Sequence, residues 1–280
     1  MSKLILNFIF FSLLLIFYKL LINVLNYFLF MKKITRFYKQ LLFNFRDKIN
    51  LDELVLNKDY SLNEFFNYFG TDKGTDIFDP YVDNPKKIKG HGFAKFYEKK
   101  LNKYRSKEFS ILEIGTWEGA STASFQKFFP KSQIFALDKN FKFKFKSKRV
   151  EFVNCNINNK ENLNLFEKKF RNKKFTIIID DGSHFLKDMI NSLKFFLKYL
   201  NSSGIFVIED FNAPKYFKEL ENSNGKELLF DEILRKIKKK ETFKSEILST
   251  ADQKFLFKNI KKVETYKGDT KISDIAFLSK

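Results

Sequence analysis

Between residues 109 and 208 the chain repeats one pattern: a short, almost wholly apolar run, a turn, and then helical spacing or a loop. The runs are Phe109 to Ile114, Gln133 to Leu137, Val150 to Val153, Phe175 to Ile179 and Gly204 to Ile208. Runs this short and this apolar read as strands buried on both faces, and strands separated by helices pair in parallel. The expected fold is therefore α/β, Rossmann-like, with a mostly parallel, doubly wound sheet. After the fourth run, Leu186, Met189, Ile190, Leu193, Phe196, Leu197 and Leu200 mark the apolar stripe of a covering helix. Residues 258–280 hold two more strand candidates, an antiparallel finish.

Upstream, Ser61 and Glu64 have the spacing of a capping box for a short helix with Leu62, Phe65, Phe66 and Phe69 on one face, stopped by Gly70. A polar loop to residue 90 leads into another helix at 93–104. These pieces are too short for a core of their own and are expected to form a helical lid on the sheet. The run Phe141-Lys142-Phe143-Lys144-Phe145-Lys146 alternates with period two, as a half-exposed edge strand or loop does.

The first 45 residues have a different character. Residues 4–30 are apolar except for Asn7, Ser12, Lys19, Asn23 and Asn26. At about 1.5 Å rise per residue such a run can cross a hydrocarbon core of about 30 Å. All the exceptions but Asn7 fall on one helical stripe, which suits either a spanning helix with a polar face or one lying in the interface. Met31, Ile34, Phe37, Tyr38, Leu41, Leu42 and Phe45 then recur at helical spacing, with Lys32, Lys33, Arg36 and Lys39 between them. The expected segments are a hydrophobic membrane-anchor helix over 1–31, an amphipathic helix and lid over 32–108, and the sheet domain over 109–280. The basic excess after the apolar run places the sheet domain on the cytoplasmic face of a membrane. Translation from Met31 would leave it cytoplasmic without an anchor.

Composition removes several function classes. With 44% hydrophobic residues in 280, the chain can bury a full core, which excludes wholesale disorder. One cysteine, Cys155, permits no intrachain disulfide, and two histidines, His91 and His184, rule out a His-rich zinc centre. The net charge is +19, yet only six of the 52 basic residues are Arg. Base and phosphate readers favour the planar guanidinium fork, so nucleic acid is not an expected partner. A homo-oligomer is compatible with the composition.

The chemistry collects at the ends of the strands. Glu113-Ile114-Gly115-Thr116-Trp117-Glu118-Gly119 forms the first strand-to-helix turn, where glycines let backbone approach a ligand and a helix N-terminus favours an anionic group. Asp138 ends the second strand, where a carboxylate can accept both hydroxyls of a ribose. Together they suggest an adenosine-containing cofactor held by Glu113, Gly115, Gly119 and Asp138. Asp181 follows the fourth strand, and Glu209 and Asp210 follow the fifth. On neighbouring strands about 4.8 Å apart the three carboxylates converge, and like charges this close call for a cation. An all-oxygen set points to Mg²⁺, or another hard divalent ion. His184, three residues after Asp181, faces the same crevice as a candidate general base.

These residues resemble a known family. ILEIGTWEGAS at 111–121, IIIDDGSH at 177–184, GIFVIED at 204–210 and FGTDKG at 69–74 are similar to the metal-dependent sugar O-methyltransferases that act on deoxysugars of macrolide and tetracenomycin antibiotics. The resemblance covers roughly residues 60–280. It implies a class I methyltransferase fold, S-adenosylmethionine and Mg²⁺ as cofactors, and a glycan or other sugar substrate with vicinal hydroxyls. It also implies Asp181, Glu209 and Asp210 as metal ligands, His184 as the base, and Asp72, Lys73 and His91 in the cofactor lid. The stretch between Lys73 and His91 is longer than that family's pattern, and the N-terminal apolar segment is foreign to it. There are two enzyme alternatives: a catechol- or diol-type O-methyltransferase, which usually has an Asp-Asn pair where this chain has Glu209-Asp210, and a hydroxylase-like enzyme of cephalosporin biosynthesis, which shares much of the motif set. A non-catalytic, membrane-associated basic binding protein is the alternative from another class.

Overall fold

The computed structural model describes residues 33–280, except 57, 58, 79–86 and 222, together with residues 24, 27, 30 and 31. The chain divides into two compact units, Met1–Asp47 and Lys48–Lys280. In the first, residues 33–45 are helical. The expected anchor over 1–31 lies mostly outside the described residues, and among those described no helix is long and apolar enough to cross a membrane.

The second unit is built on seven strands: β1 (Phe109–Ile114), β2 (Ser132–Asp138), β3 (Val150–Asn154), β4 (Phe175–Asp180), β5 (Leu200–Ile208), β6 (Lys262–Lys267) and β7 (Asp274–Ser279). Their order across the sheet is β6-β7-β5-β4-β1-β2-β3. Strands β1 to β5 pair in parallel, whereas β7 runs antiparallel to both of its neighbours. The chain order reverses between β1 and β4, and in such a sheet the crevice at the carboxyl ends there is where ligands bind.

Successive strand residues face opposite sides, so each strand feeds two cores. Leu112, Ile178 and Phe206 pack with α4 (Lys160–Phe170), α5 (Leu186–Phe196), α6 (Phe230–Lys239) and α7 (Thr250–Asn259) on one face. Ile111, Ile177 and Val207 pack with α1 (Leu62–Phe69), α2 (Ala94–Leu101) and α3 (Ala120–Phe128) on the other. Phe66, Tyr97 and Phe125 meet edge to face at 5.3–6.1 Å between centroids, which ties these three helices together. Each such ring fully withdrawn from water contributes about 1.5–3 kcal/mol.

The two short upstream helices thus form a layer packed on the sheet. Helix α1 has the capping box legible in its sequence, with Ser61 Oγ accepting from Glu64 N at 3.2 Å and Glu64 Oε2 from Ser61 N at 2.7 Å. What reaches the crevice is the chain around them. His91 N donates to Asp72 O at 2.7 Å and Phe93 N to Lys73 O at 2.8 Å, so residues 72–73 are held against 91–93. The alternating Phe-Lys run becomes a loop and a two-residue strand, Phe145–Lys146, paired in parallel with Ile49–Asn50. Phe143 and Phe145 are buried and Lys142, Lys144 and Lys146 exposed, as period-two spacing requires.

Candidate active site at the carboxyl edge of the sheet

The first turn is shaped by its glycines. Gly115 has φ 85°, and a Cβ there would lie 2.0 Å from the carbonyl oxygen of Asp181, so only glycine lets the ends of β1 and β4 approach this closely. Gly119 has φ 93° and caps α3, beneath the ring of Phe143. Glu113 lies fully buried under the turn, where its carboxylate accepts from the hydroxyls of Ser121 and Thr122. Burial pushes its pKa up, against the lowering influence of Lys73 and the two hydroxyls. Asp138 accepts from Trp117 N at 2.9 Å on one oxygen and from Asn140 N at 2.6 Å on the other, linking the first turn to the end of β2.

Beside this turn lies a cavity of about 370 Å³, within the usual size range of small-molecule sites. Gly115, Trp117, Asp138, Asn156, Asp181 and His184 are among its walls. Trp117 adopts a left-handed backbone, φ 49°, and its indole is half exposed with Lys142 Nζ 3.6 Å from the ring centroid.

Next to the cavity is a cluster of charges around Lys73. The Lys73 side chain is fully buried, and its ammonium bonds Asp181 Oδ2 and, at 2.6 Å, Glu209 Oε2. Burial works to lower the Lys73 pKa, but Asp181, Glu209 and Asp72 outweigh it and hold the group well above the ordinary lysine range. The Tyr97 hydroxyl donates to the other oxygen of Glu209. Glu209 is pushed up by burial, with the Lys73 charge working the other way. Asp210, at φ 50°, is raised by burial and then by the charges of Asp181 and Glu209, to about 9. Its Oδ1 is buried without a hydrogen bond, and its Oδ2 lies 3.4 Å from His91 Nδ1. Burial pushes the His91 pKa down despite the carboxylate of Asp72. Asp72 itself is held low: burial works to raise it, and Lys73 and the two histidines overcome that. His184 Nε2 is 3.6 Å from Asp181 Oδ1, too long for a hydrogen bond.

The expected site residues thus fall into three places. Asp72, Gly115, Asp138, Asp181 and His184 line one cavity. Glu113 and Gly119 sit behind the turn, where they shape it. Lys73, Glu209, His91 and Asp210 form the charged floor alongside. Of the expected trio, Asp181 and Glu209 are joined through the Lys73 ammonium, Tyr97 bonds the other oxygen of Glu209, and Asp210 lies close enough to feel both charges. The set with ligand atoms within 4.8 Å of one another is Asp181, His184 and Asp210. Three oxygen or nitrogen donors, one a buried aspartate oxygen without a partner, fit a hard divalent cation. Sequence reasoning missed Tyr97, Asn156 and the wall formed by Trp117. Tyr97 reads as one more apolar-face residue of α2, and only the partner 112 positions away reveals its polar end.

The fold has known counterparts. A model of the FtsJ-like methyltransferase family matches residues 92–269. Over 127 residues the chain is 30% identical to mycinamicin VI 2''-O-methyltransferase of Micromonospora griseorubida, a match covering 43% of this chain and 31% of that protein. Demethylmacrocin O-methyltransferase of Streptomyces fradiae is 31% identical over 127 residues, covering 43% and 32%. The matches thus span about a third of the length of these curated relatives. Among solved structures, MycE methyltransferase from the mycinamycin biosynthetic pathway, in complex with Mg and SAH, aligns with a TM-score of 0.59 at 23% identity, covering 79% of this chain and 54% of that one. That likeness shows the class I methyltransferase fold, whose mostly parallel sheet is the one described above. Since the matched family model spans well over half of the sequence, the chain belongs to the FtsJ-like methyltransferase family.

Proposed function

We propose that the protein transfers a methyl group from S-adenosylmethionine to a sugar hydroxyl, with a divalent cation at the site. The observation that carries this reading is the junction of a small-molecule cavity, floored by Gly115 and walled by Asp138, with the cluster of Asp181, His184 and Asp210. The curated relatives that match the chain are named for methylating sugars of macrolides, and the solved MycE complexes contain Mg and SAH, in one case with mycinamycin VI. Asp138 would take the ribose hydroxyls with the lone pairs not engaged by Trp117 and Asn140. Asp181 and Asp210 would hold the cation, and Glu209, bonded by Lys73 and Tyr97, would fix the floor beneath them. When bound, S-adenosylmethionine supplies an electrophilic methyl group, and a divalent ion stabilises a developing alkoxide. His184 accepts the hydroxyl proton as the substrate oxygen takes the methyl.

The experiment is incubation of the purified chain with methyl-labelled S-adenosylmethionine, Mg²⁺ and glycosides bearing vicinal hydroxyls, with the label located by mass spectrometry. Label in a sugar methoxy group is the expected result. Cofactor binding with transfer to a catechol, and to no glycoside, would replace the sugar with the diol reading.

A further inference from the structure

The helix of residues 33–45 leaves its apolar side exposed. Phe30, Ile34, Phe37, Tyr38, Leu41 and Phe45 all lie within one face at 100° per residue, and all are exposed, Phe37 by 68% and Phe45 by 81%. A continuous apolar patch this long on a water-soluble surface marks an interaction site. Lys33 borders the stripe and Lys39 lies on the face opposite it, and both are exposed. No acidic residue precedes Asp47 anywhere in the sequence. Residues 4–30, which lead into this helix, are themselves almost wholly apolar.

We infer that this helix lies in the surface of a bilayer carrying anionic headgroups, with the Phe30–Phe45 stripe at the acyl boundary and Lys33 and Lys39 among the phosphates. An exposed apolar face with aromatic residues, and lysines outside it, has the composition of an interfacial helix. A second copy of the helix is the poorer occupant. Pairing two such stripes offers Lys33 and Lys39 no carboxylate on the other helix. Anionic headgroups supply the missing counter-charge along the whole length.

The test is flotation of the full chain with vesicles of equal phosphatidylcholine and phosphatidylglycerol, against vesicles of phosphatidylcholine alone. Strong preference for the mixed vesicles is expected. Lys33→Gln and Lys39→Gln should each reduce the partition coefficient by about fivefold. Phe37→Asp with Leu41→Asp should reduce it by at least about a hundredfold, without changing the thermal unfolding of the sheet domain. Equal flotation by the aspartate variant would assign the attachment to residues 4–30 and overturn the inference. So would a lipid-free dimer that Phe37→Asp dissociates. A second reading needs no loss of binding: in a Trp117→Phe background, which removes the chain's one native tryptophan, Phe37→Trp should shift its emission to the blue on adding the mixed vesicles. Emission unmoved by those vesicles overturns the inference equally.

Discussion

A lysine ammonium sealed among carboxylates acts as a fixed internal cation, and Lys73 is the residue on which the charged floor depends. Removing one partner of a buried ion pair leaves the others uncompensated. Lys73→Met should therefore cost about 3–5 kcal/mol of stability in urea unfolding. Adding Glu209→Gln should restore part of that loss, because the stranded charge goes with it. A single-variant cost below about 1 kcal/mol would show that the ammonium is not the counter-charge of the floor. His184 is tested separately. As general base it predicts that His184→Ala lowers kcat by about 10²–10⁴-fold while the affinities for S-adenosylmethionine and Mg²⁺ stay as they were. A fall in Mg²⁺ affinity instead would make His184 a ligand, as its distance from Asp181 and Asp210 also permits. The motif residues around His184 were legible because they cluster in sequence. Lys73 was expected in the cofactor lid, but its pairing with Asp181 and Glu209 was not legible, since these partners lie 108 and 136 positions further on and spacing carries no trace of them.

Among the elements, those that announce themselves do so through local chemistry. The central strands β1, β4 and β5 carry apolar runs where both of their faces are buried, and the capping boxes are fixed by residues three apart. Helix α7 has such a box: Ser249 Oγ accepts from Asp252 N, and Asp252 Oδ2 accepts from Ser249 N at 2.9 Å. Asp252 also pairs with Lys194 of α5 at 2.8 Å, so one carboxylate joins two helices. Burial works to raise its pKa, but Lys194 and Ser249 outweigh this and hold it below its ordinary value of 3.8. A depressed folded-state pKa means stability that is present above the unfolded value and is lost as pH falls through the folded one. Asp252→Ala should thus cost about 1 kcal/mol at neutral pH. The gap between variant and parent should begin to narrow as pH falls through the unfolded value and vanish only below the folded one. A gap that does not narrow at all in acid would show that the carboxylate's charge is not what stabilises α7. Helices of eight residues have too little surface to stand apart, and the apolar faces of α1 and α2 pack against Ile111, Ile177 and Phe125.

At the scale of the whole molecule, ligand binding and folding are linked. A ligand at 100 times its dissociation constant stabilises the folded state by about 2.7 kcal/mol. For a domain of this size that is a rise in Tm of about 5–10 °C. S-adenosylmethionine should produce it, Mg²⁺ should add to it, and excess chelator should remove only the second increment. No shift from either would separate this chain from the cofactor chemistry of its relatives. The antiparallel finish carries a further consequence, for the time at which the site comes into being. Strand β7 lies between β5 and β6, and Phe211 N donates to Asp274 O just beyond Glu209 and Asp210. During synthesis, β5 emerges well before the residues that cover its open edge, so its unpaired amides and carbonyls wait through some seventy further residues. The loop bearing Glu209 and Asp210 gains its last support only when residues 274–279 slot into the gap, so the late insertion that brings Ile275, Ala276, Phe277 and Leu278 into the interior is also the one that completes the chemistry.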